Sequence, residues 1–370
     1  MTTSASELAP MDVVARAPRL RGALADAGAD ALLVTRLPNV RYLTGFTGSA
    51  GMVFVGPDSL LLVTDGRYAE QSREQLTAAG VEARIVIAPT ESGQRDALVD
   101  ATGAHRRIGL EAHGVTWAQQ RAFTEWFEPA ELVPTEHLVE GLRAVKELGE
   151  VDRIRAACAI ADEALGEVLP SLHGRPTERE FALGLEWAMR ERGAQRTSFE
   201  TIVASGPNGS KPHARPTDRP IEAGELVVID FGCVVDGYCS DMTRTVSVGD
   251  PGADARKVWD VVAASQRAGR DAVRAGVTCA AVDRASRAVI EDAGWGATFA
   301  HGTGHGVGLE IHEAPRVAAS SDGTLAPGHV VTVEPGVYLP GVGGVRIEDT
   351  VVVTGDGADA LTEFPKSLII

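Results

Sequence analysis

The apolar positions of the chain change their period several times. Residues 12–29 carry them at helical spacing, whereas ALLVT (31–35), GMVFVG (51–56) and LLLVTD (60–65) are short and almost wholly apolar, as buried strands are. RIVIAP and RIGLEA are further strand-like runs, and polar, helix-like stretches such as TESGQRDALVDATG separate them. Strands alternating with helices predict an α/β domain in this part of the chain. Past PTEHLVEGL the pattern becomes helical over long distances, with predicted helices at 148–170 and 177–193. The change places a domain boundary near residue 145, dividing the chain into 1–144 and 145–370. FETIVASG, ELVVIDFG and GYCSDMTRTVSVG then read as strands, the section from Ala255 to Ala293 as helix, and HVVTVEPGVYL and GVRIEDTVVVT as strands again. Helices, strands, helices and strands in that order predict an α+β domain whose antiparallel sheet carries helices on one side.

Length and charge narrow the function classes. A chain of 370 residues suits two domains, and 44% hydrophobic with 23% charged residues is ordinary globular composition. The formal net charge of −16, with Lys and Arg scattered, disfavours a nucleic-acid backbone or an anionic membrane as partner. No basic segment leads into an apolar run near Met1, and no stretch reaches the length of a membrane span, so the expectation is a cytoplasmic protein. The four cysteines, Cys158, Cys233, Cys239 and Cys279, are dispersed and form no CxxC pair, which suits small buried hydrophobes.

Carboxylates change the picture. Asp230 follows the apolar run LVVI and precedes Phe231, so it sits near the end of a predicted buried strand, where an unpaired charge is costly. Asp236-Gly237 is a hairpin-turn signal that would fold Asp241 back towards Asp230. Glu334 closes HVVTV before Pro335-Gly336. In GGVRIEDT, Arg346, Glu348 and Thr350 share one face of a single predicted strand. Four acids converging in one domain repel unless protons or cations sit between them. HGTGHGVGLEIHE adds His301, His305 and His312; its glycines argue against a helical zinc site and for a loop that aims imidazoles into a pocket, and it lacks the ending of a phosphate-binding loop. Two aspartates and two glutamates carry four negative charges, which two divalent ions balance, with a neutral His as fifth ligand. Ligands that are mainly carboxylate oxygens favour manganese, with cobalt, magnesium or zinc as alternatives.

Three segments, ASGPNGSKPHARP running on to DFGCVVDGYCSDMTRT, HGTGHGVGLEIHEAP and TVEPGVYLPGVGGVRIEDTVVVT, resemble the pita-bread metallopeptidases of the Xaa-Pro aminopeptidase and Xaa-Pro dipeptidase (prolidase) branch. LPNVRYLTGFTGSAGMVFV and TDGRYAEQ resemble the creatinase-type N-terminal domain of that branch, so the likeness covers nearly the whole chain. It implies an α/β creatinase-like domain followed by an α+β pita-bread domain with a curved antiparallel sheet flanked by helices. It also implies Asp230 as a terminal metal ligand, Asp241 and Glu348 as bridging carboxylates, His305 as the imidazole ligand, and Glu334 as ligand and proton shuttle. His213 would lie on the substrate side, His312 would steady the tetrahedral intermediate, and His301 and Arg346 would be further active-site residues. The implied reaction is hydrolysis of the bond between an N-terminal residue and a following proline by a dinuclear metal centre. The first reading is an Xaa-Pro aminopeptidase acting on peptides with proline at the second position. A strict Xaa-Pro dipeptidase is its rival, distinguished by what fills the space beyond the proline. A non-catalytic peptide-binding module would have lost ligands, and hydrolysis of another amide is a third option. A homodimer is the family expectation, with the first domain as a contact surface.

Overall fold

The computed structural model describes residues 8–370. The chain divides into one compact unit spanning Pro10–Arg143 and a larger one containing Ala144–Ile370.

In the first unit, six strands form one sheet: β1 (Ala31–Val34), β2 (Met52–Val55), β3 (Leu60–Thr64), β4 (Arg84–Ile87), β5 (Arg107–Glu111) and β6 (Glu131–Thr135), in the spatial order β4-β3-β2-β1-β5-β6. The β1–β2 and β2–β3 pairs are antiparallel, and β3–β4, β1–β5 and β5–β6 are parallel. The parallel pairs need crossovers, which helices such as Ala69–Ala78 and Trp117–Trp126 supply. Leu33, Phe54, Leu98, Ile108 and Phe123 fill the core on one side of this sheet.

The second unit holds two helix pairs, each packed on its own set of antiparallel strands. Helices Leu148–Val168 and Glu178–Glu191 lie on β8 (Ile202–Ser205), β9 (Val227–Phe231), β10 (Cys233–Val235) and β12 (Met242–Val246), where Leu165, Phe181, Leu185, Ile229 and Phe231 form one core. Two short strands complete this half, β7 (Arg196–Thr197) and β11 (Tyr238–Cys239), both paired with β10. Helices Ala253–Ala272 and Cys279–Asp292 lie on the later strands: β13 (Gly304–Gly306), β14 (Glu313–Val317), β15 (Val330–Val333), β16 (Gly336–Leu339), β17 (Gly343–Arg346), β18 (Asp349–Val353) and β19 (Ala358–Ala360). Every strand pair of this unit is antiparallel. The α/β plus α+β pita-bread architecture is therefore present. The predicted hairpin is present too: Asp236 and Gly237 have φ of 41° and 78°, the paired positive angles that let a two-residue turn follow the twist of its strands.

Two local expectations need correcting. The Gly-rich run at 301–308 is partly strand, because Gly304 and Gly306 allow β13 to lie against its neighbours. A Cβ on Gly304 would stand 1.9 Å from the Thr332 carbonyl oxygen, and one on Gly306 would stand 2.2 Å from that of Ala314. GVRIEDT is not a single strand. β17 ends at Arg346 in the β16–β17 ladder, and β18 begins at Asp349 beside β15. Between them the backbone turns to other partners, Ile347 N donating to Pro335 O (3.4 Å) and Glu348 N to Thr243 O (3.1 Å). All four cysteines are free and buried, as hydrophobic filler should be.

The segment after β19 is tied to helix Leu148–Val168 through Asp162, whose carboxylate accepts from the Glu363 amide at 2.7 Å. Burial outweighs this bond and raises the Asp162 pKa to about 6. A carboxyl raised above its unfolded value of 3.8 holds its proton in the folded state while the unfolded chain has lost it. Stability from this group therefore falls as pH rises through that window and stays low above pH 6. Asp162→Asn, which cannot ionise, should match wild type in thermal midpoint near pH 4 and exceed it by a few degrees at pH 8. An equal difference at both pH values would refute this.

Candidate metal centre

The two halves of the second unit bring their acids together. Asp230 is the penultimate residue of β9, and its Cα partner across the ladder is Thr243 of β12, with Asp241 two residues before it, just ahead of that strand. Glu334 follows β15, Glu348 lies in the break between β17 and β18, and His305 is the central residue of β13. All nine residues singled out above, Asp230, Asp241, His305, Glu334, Glu348, His213, His301, His312 and Arg346, line one cavity of about 710 Å³.

Within it, Asp241, His305 and Glu348 each offer one donor atom, and the three lie within 4.8 Å of one another. His305 Nε2 stands 3.5 Å from Asp241 Oδ2 and 3.4 Å from Glu334 Oε1. Donors each about 2.1 Å from one divalent ion stand roughly 3.0–3.4 Å apart, so these spacings suit atoms gathered round a common cation. Asp230 is held by Arg346, whose Nη2 lies 2.5 Å from its Oδ2, while Asp230 Oδ1 and Glu348 Oε1 are buried with no hydrogen-bond partner.

The electrostatics agree. Burial, and then the charges of Glu348, Asp230 and Glu334, push the Asp241 carboxyl well above its ordinary range. Burial and the neighbouring Glu334 and Asp230 do the same to Glu348. Glu334 rises to about 8, chiefly through burial. Burial drives His305 down to about 4, so at neutral pH its imidazole is uncharged and has a lone pair to give. Orphaned buried carboxylate oxygens, mutual repulsion and a neutral imidazole are what a hard or borderline divalent cation relieves, so the residues present fit such an ion.

Arg346 is the hub of the surrounding hydrogen bonds. Only 3% exposed, it donates from Nε to Thr243 Oγ1 (3.1 Å) and from Nη1 to the Tyr338 hydroxyl (2.8 Å) and Pro212 O (3.2 Å). The Tyr338 hydroxyl also meets His301 Nε2 at 2.9 Å. His312 packs edge-on against His305 with ring centroids 4.3 Å apart.

Sequence reasoning missed Tyr338, Thr243 and Thr332, and placed Thr350 on the acidic face without giving it a role. Thr243 Oγ1 donates to Glu348 Oε2 (2.7 Å), Thr332 Oγ1 to Glu334 Oε1 (3.3 Å), and Thr350 Oγ1 to the Asp241 carbonyl (2.7 Å). Each threonine lies two residues from an acid of the site, in D-M-T, T-V-E and E-D-T, and the period of two was the available signal.

Comparisons with known proteins place this arrangement. Residues 152–355 match metallopeptidase family M24, and residues 16–145 match the creatinase/prolidase N-terminal domain. The solved Xaa-Pro dipeptidase from Bacillus anthracis superposes with a TM-score of 0.92 at 39% identity, covering 97% of this chain and all of that one. The X-Pro aminopeptidase from Thermotoga maritima superposes at 0.85 with 34% identity, covering 93% and 98%. The Xaa-Pro dipeptidase of Pyrococcus furiosus is 33% identical over 342 residues, 92% of this chain and 95% of its own. Among the described residues no helix is long and apolar enough to cross a membrane. With both family patterns matched in order, and with relatives aligned along nearly their whole length, the chain belongs to the pita-bread metallopeptidases of family M24, in the Xaa-Pro aminopeptidase and dipeptidase branch.

Proposed function

We propose that this protein is a metal-dependent Xaa-Pro dipeptidase. The observation that carries the choice over an aminopeptidase is Arg316. Its side chain lines the cavity and has no ion-pair or hydrogen-bond partner among the described residues, whereas Arg215, the other cavity arginine outside the hub, is paired with Glu200 at 3.3 Å. A dipeptide ends in a carboxylate directly after the proline, and a free guanidinium at the cavity wall is the group to receive it. The similarity to the Bacillus and Pyrococcus dipeptidases supports the same reading. The aminopeptidase expected from the sequence keeps the support of the Thermotoga relative and becomes the alternative outcome of the test below.

Asp230, Asp241, His305, Glu334 and Glu348 would hold two divalent ions, with manganese expected from the predominance of oxygen donors. When bound, these supply a polarised scissile carbonyl and a water acidic enough to lose its proton near neutral pH. Glu334 takes that proton on a carboxylate oxygen and returns it to the proline nitrogen, which must leave as an amine. His312, held neutral chiefly by burial, donates its single ring N–H to the developing oxyanion, and His213 donates to the substrate carbonyl. Arg346 orients Asp230 by the 2.5 Å contact and reaches His301 through the Tyr338 hydroxyl.

Arg316→Gln should raise KM for an Xaa-Pro dipeptide by about tenfold to a hundredfold, the loss of one charge-assisted bond, with kcat little changed. The C-terminal amide of the same dipeptide should be cleaved poorly by wild type and equally by both proteins. Wild-type protein, stripped and reloaded with manganese, that prefers Xaa-Pro-Yaa tripeptides and ignores Arg316→Gln is an aminopeptidase instead.

A further inference from the structure

An ion pair that the chemistry above does not use lies behind the His312 turn. Lys146 Nζ stands 3.0 Å from Glu313 Oε2, with side chains only 1% and 5% exposed. Glu313 is the residue after His312, and its other oxygen, Oε1, accepts from the Glu310 amide at 3.0 Å. The turn between them is closed by Gly308 N donating to Glu310 O (3.1 Å) and anchored by Cys239 N donating to Gly308 O (2.8 Å). Glu313 fills the inside of this turn so tightly that a Cβ on Gly308 would meet its Oε2 at 2.6 Å. The lysine is fixed in its turn, for its own backbone N–H donates to Gly328 O at 2.8 Å and Val145 bridges His329.

His312 has no comparable restraint of its own. Its ring makes no hydrogen bond among the described residues and meets the His305 ring edge-on. Its position is therefore inherited from the backbone of residues 308–313.

We propose that Lys146 is a positioning residue for His312, acting through the buried carboxylate of Glu313. This rests on the peptidase reading, in which His312 donates to the oxyanion. The lysine neutralises Glu313 where no water can, and so lets that carboxylate stay inside the turn and hold the Glu310 amide. Without the ammonium the buried carboxylate loses this ion pair, the turn opens to hydrate it, and the imidazole moves from its working place. A displacement of about 1 Å at a reacting group can lower the rate on the order of 10²-fold. Since His312 acts in the transition state, the loss belongs to kcat more than to KM.

The test uses full-length, manganese-loaded protein and an Xaa-Pro dipeptide. Lys146→Met should lower kcat on the order of 10²-fold with KM changed by less than about threefold, and Lys146→Arg should recover most of it. In a His312→Ala background the same Lys146→Met change should alter kcat by less than about twofold, because the group it positions is gone. A purely structural lysine would cost as much in that background as in wild type, and that result overturns the proposal. Hydrogen exchange on the same proteins needs no turnover and so separates this inference from the peptidase reading. The Glu310 amide should exchange at least about tenfold faster in Lys146→Met and in Glu313→Gln, while β9 and β15 keep wild-type protection. Unchanged Glu310 protection in a folded variant equally overturns the proposal, even if wild-type protein cleaves no Xaa-Pro bond.

Discussion

Asp241→Asn makes the metal-free protein more stable while abolishing its peptidase activity. Both effects come from one carboxylate that is 5% exposed and crowded by Glu348, Asp230 and Glu334. Without a cation those charges work against folding. The sign follows from the direction of the shift: a carboxyl raised above its unfolded value destabilises increasingly as pH rises past that value. The asparagine variant, which does not titrate, should therefore unfold at a higher temperature than wild type in chelator, with a larger gap at pH 8 than at pH 5. Added manganese should reverse the order. An ion that binds only the folded state contributes about 2.7 kcal/mol at a hundredfold excess over Kd, and a variant missing a central ligand forgoes it. Activity should fall by at least about 10³-fold, the scale at which removing an electrostatic stabiliser is felt. Thermal unfolding with and without manganese measures the stability effects and a peptide-hydrolysis assay the loss of activity, and a variant less stable than wild type in chelator would show that the acids are reconciled without a cation.

Arg346→Met has the second largest expected effect, this time with both signs adverse. Removing the guanidinium deprives Asp230, Thr243, Tyr338 and Pro212 O of their donor at once. Loss of one partner from a buried ion pair costs about 3–5 kcal/mol, because the other charge stays behind. Denaturant unfolding of the metal-free variant should show a loss of that size. Lysine should not rescue it, since one ammonium cannot span the separate directions that the planar fork serves. Peptidase activity should fall as well, through the freed Asp230. Full recovery in Arg346→Lys would mean that only the charge matters and that the hydrogen-bond fan is incidental.

The two predictions draw on features of unequal legibility. The acids were readable because an aspartate ending LVVI or a glutamate ending HVVTV violates the expectation for a buried strand, and such violations mark sites. The Asp236-Gly237 turn was readable because few dipeptides accept positive φ at both positions. The hub around Arg346 was not. Which hydroxyls a guanidinium reaches depends on how β12, β16 and β17 meet: Thr243 is 103 residues from Arg346 in sequence, and Tyr338, 8 residues away, comes within 2.8 Å only through the register of β16 on β17. The break at Ile347 and Glu348 was hidden for a similar reason. Alternating residues look the same whether a strand continues in one ladder or leaves it, and only the backbone partners Pro335 and Thr243 distinguish the two. His305 fell on a strand instead of a loop because glycine propensity speaks against strands in general, while here the close approach of neighbouring backbone requires it.

The wide spacing of the acids along the chain also bears on when the enzyme can come to life. The first and last lie at Asp230 and Glu348. No short fragment contains the site, and Glu348 leaves the ribosome long after Asp230. A growing chain can therefore present neither a metal trap nor a working peptidase. Ion selection is made by the completed fold, in whatever ionic surroundings it finishes folding. Until Glu348 has folded onto Asp230, topology alone keeps the hydrolase silent.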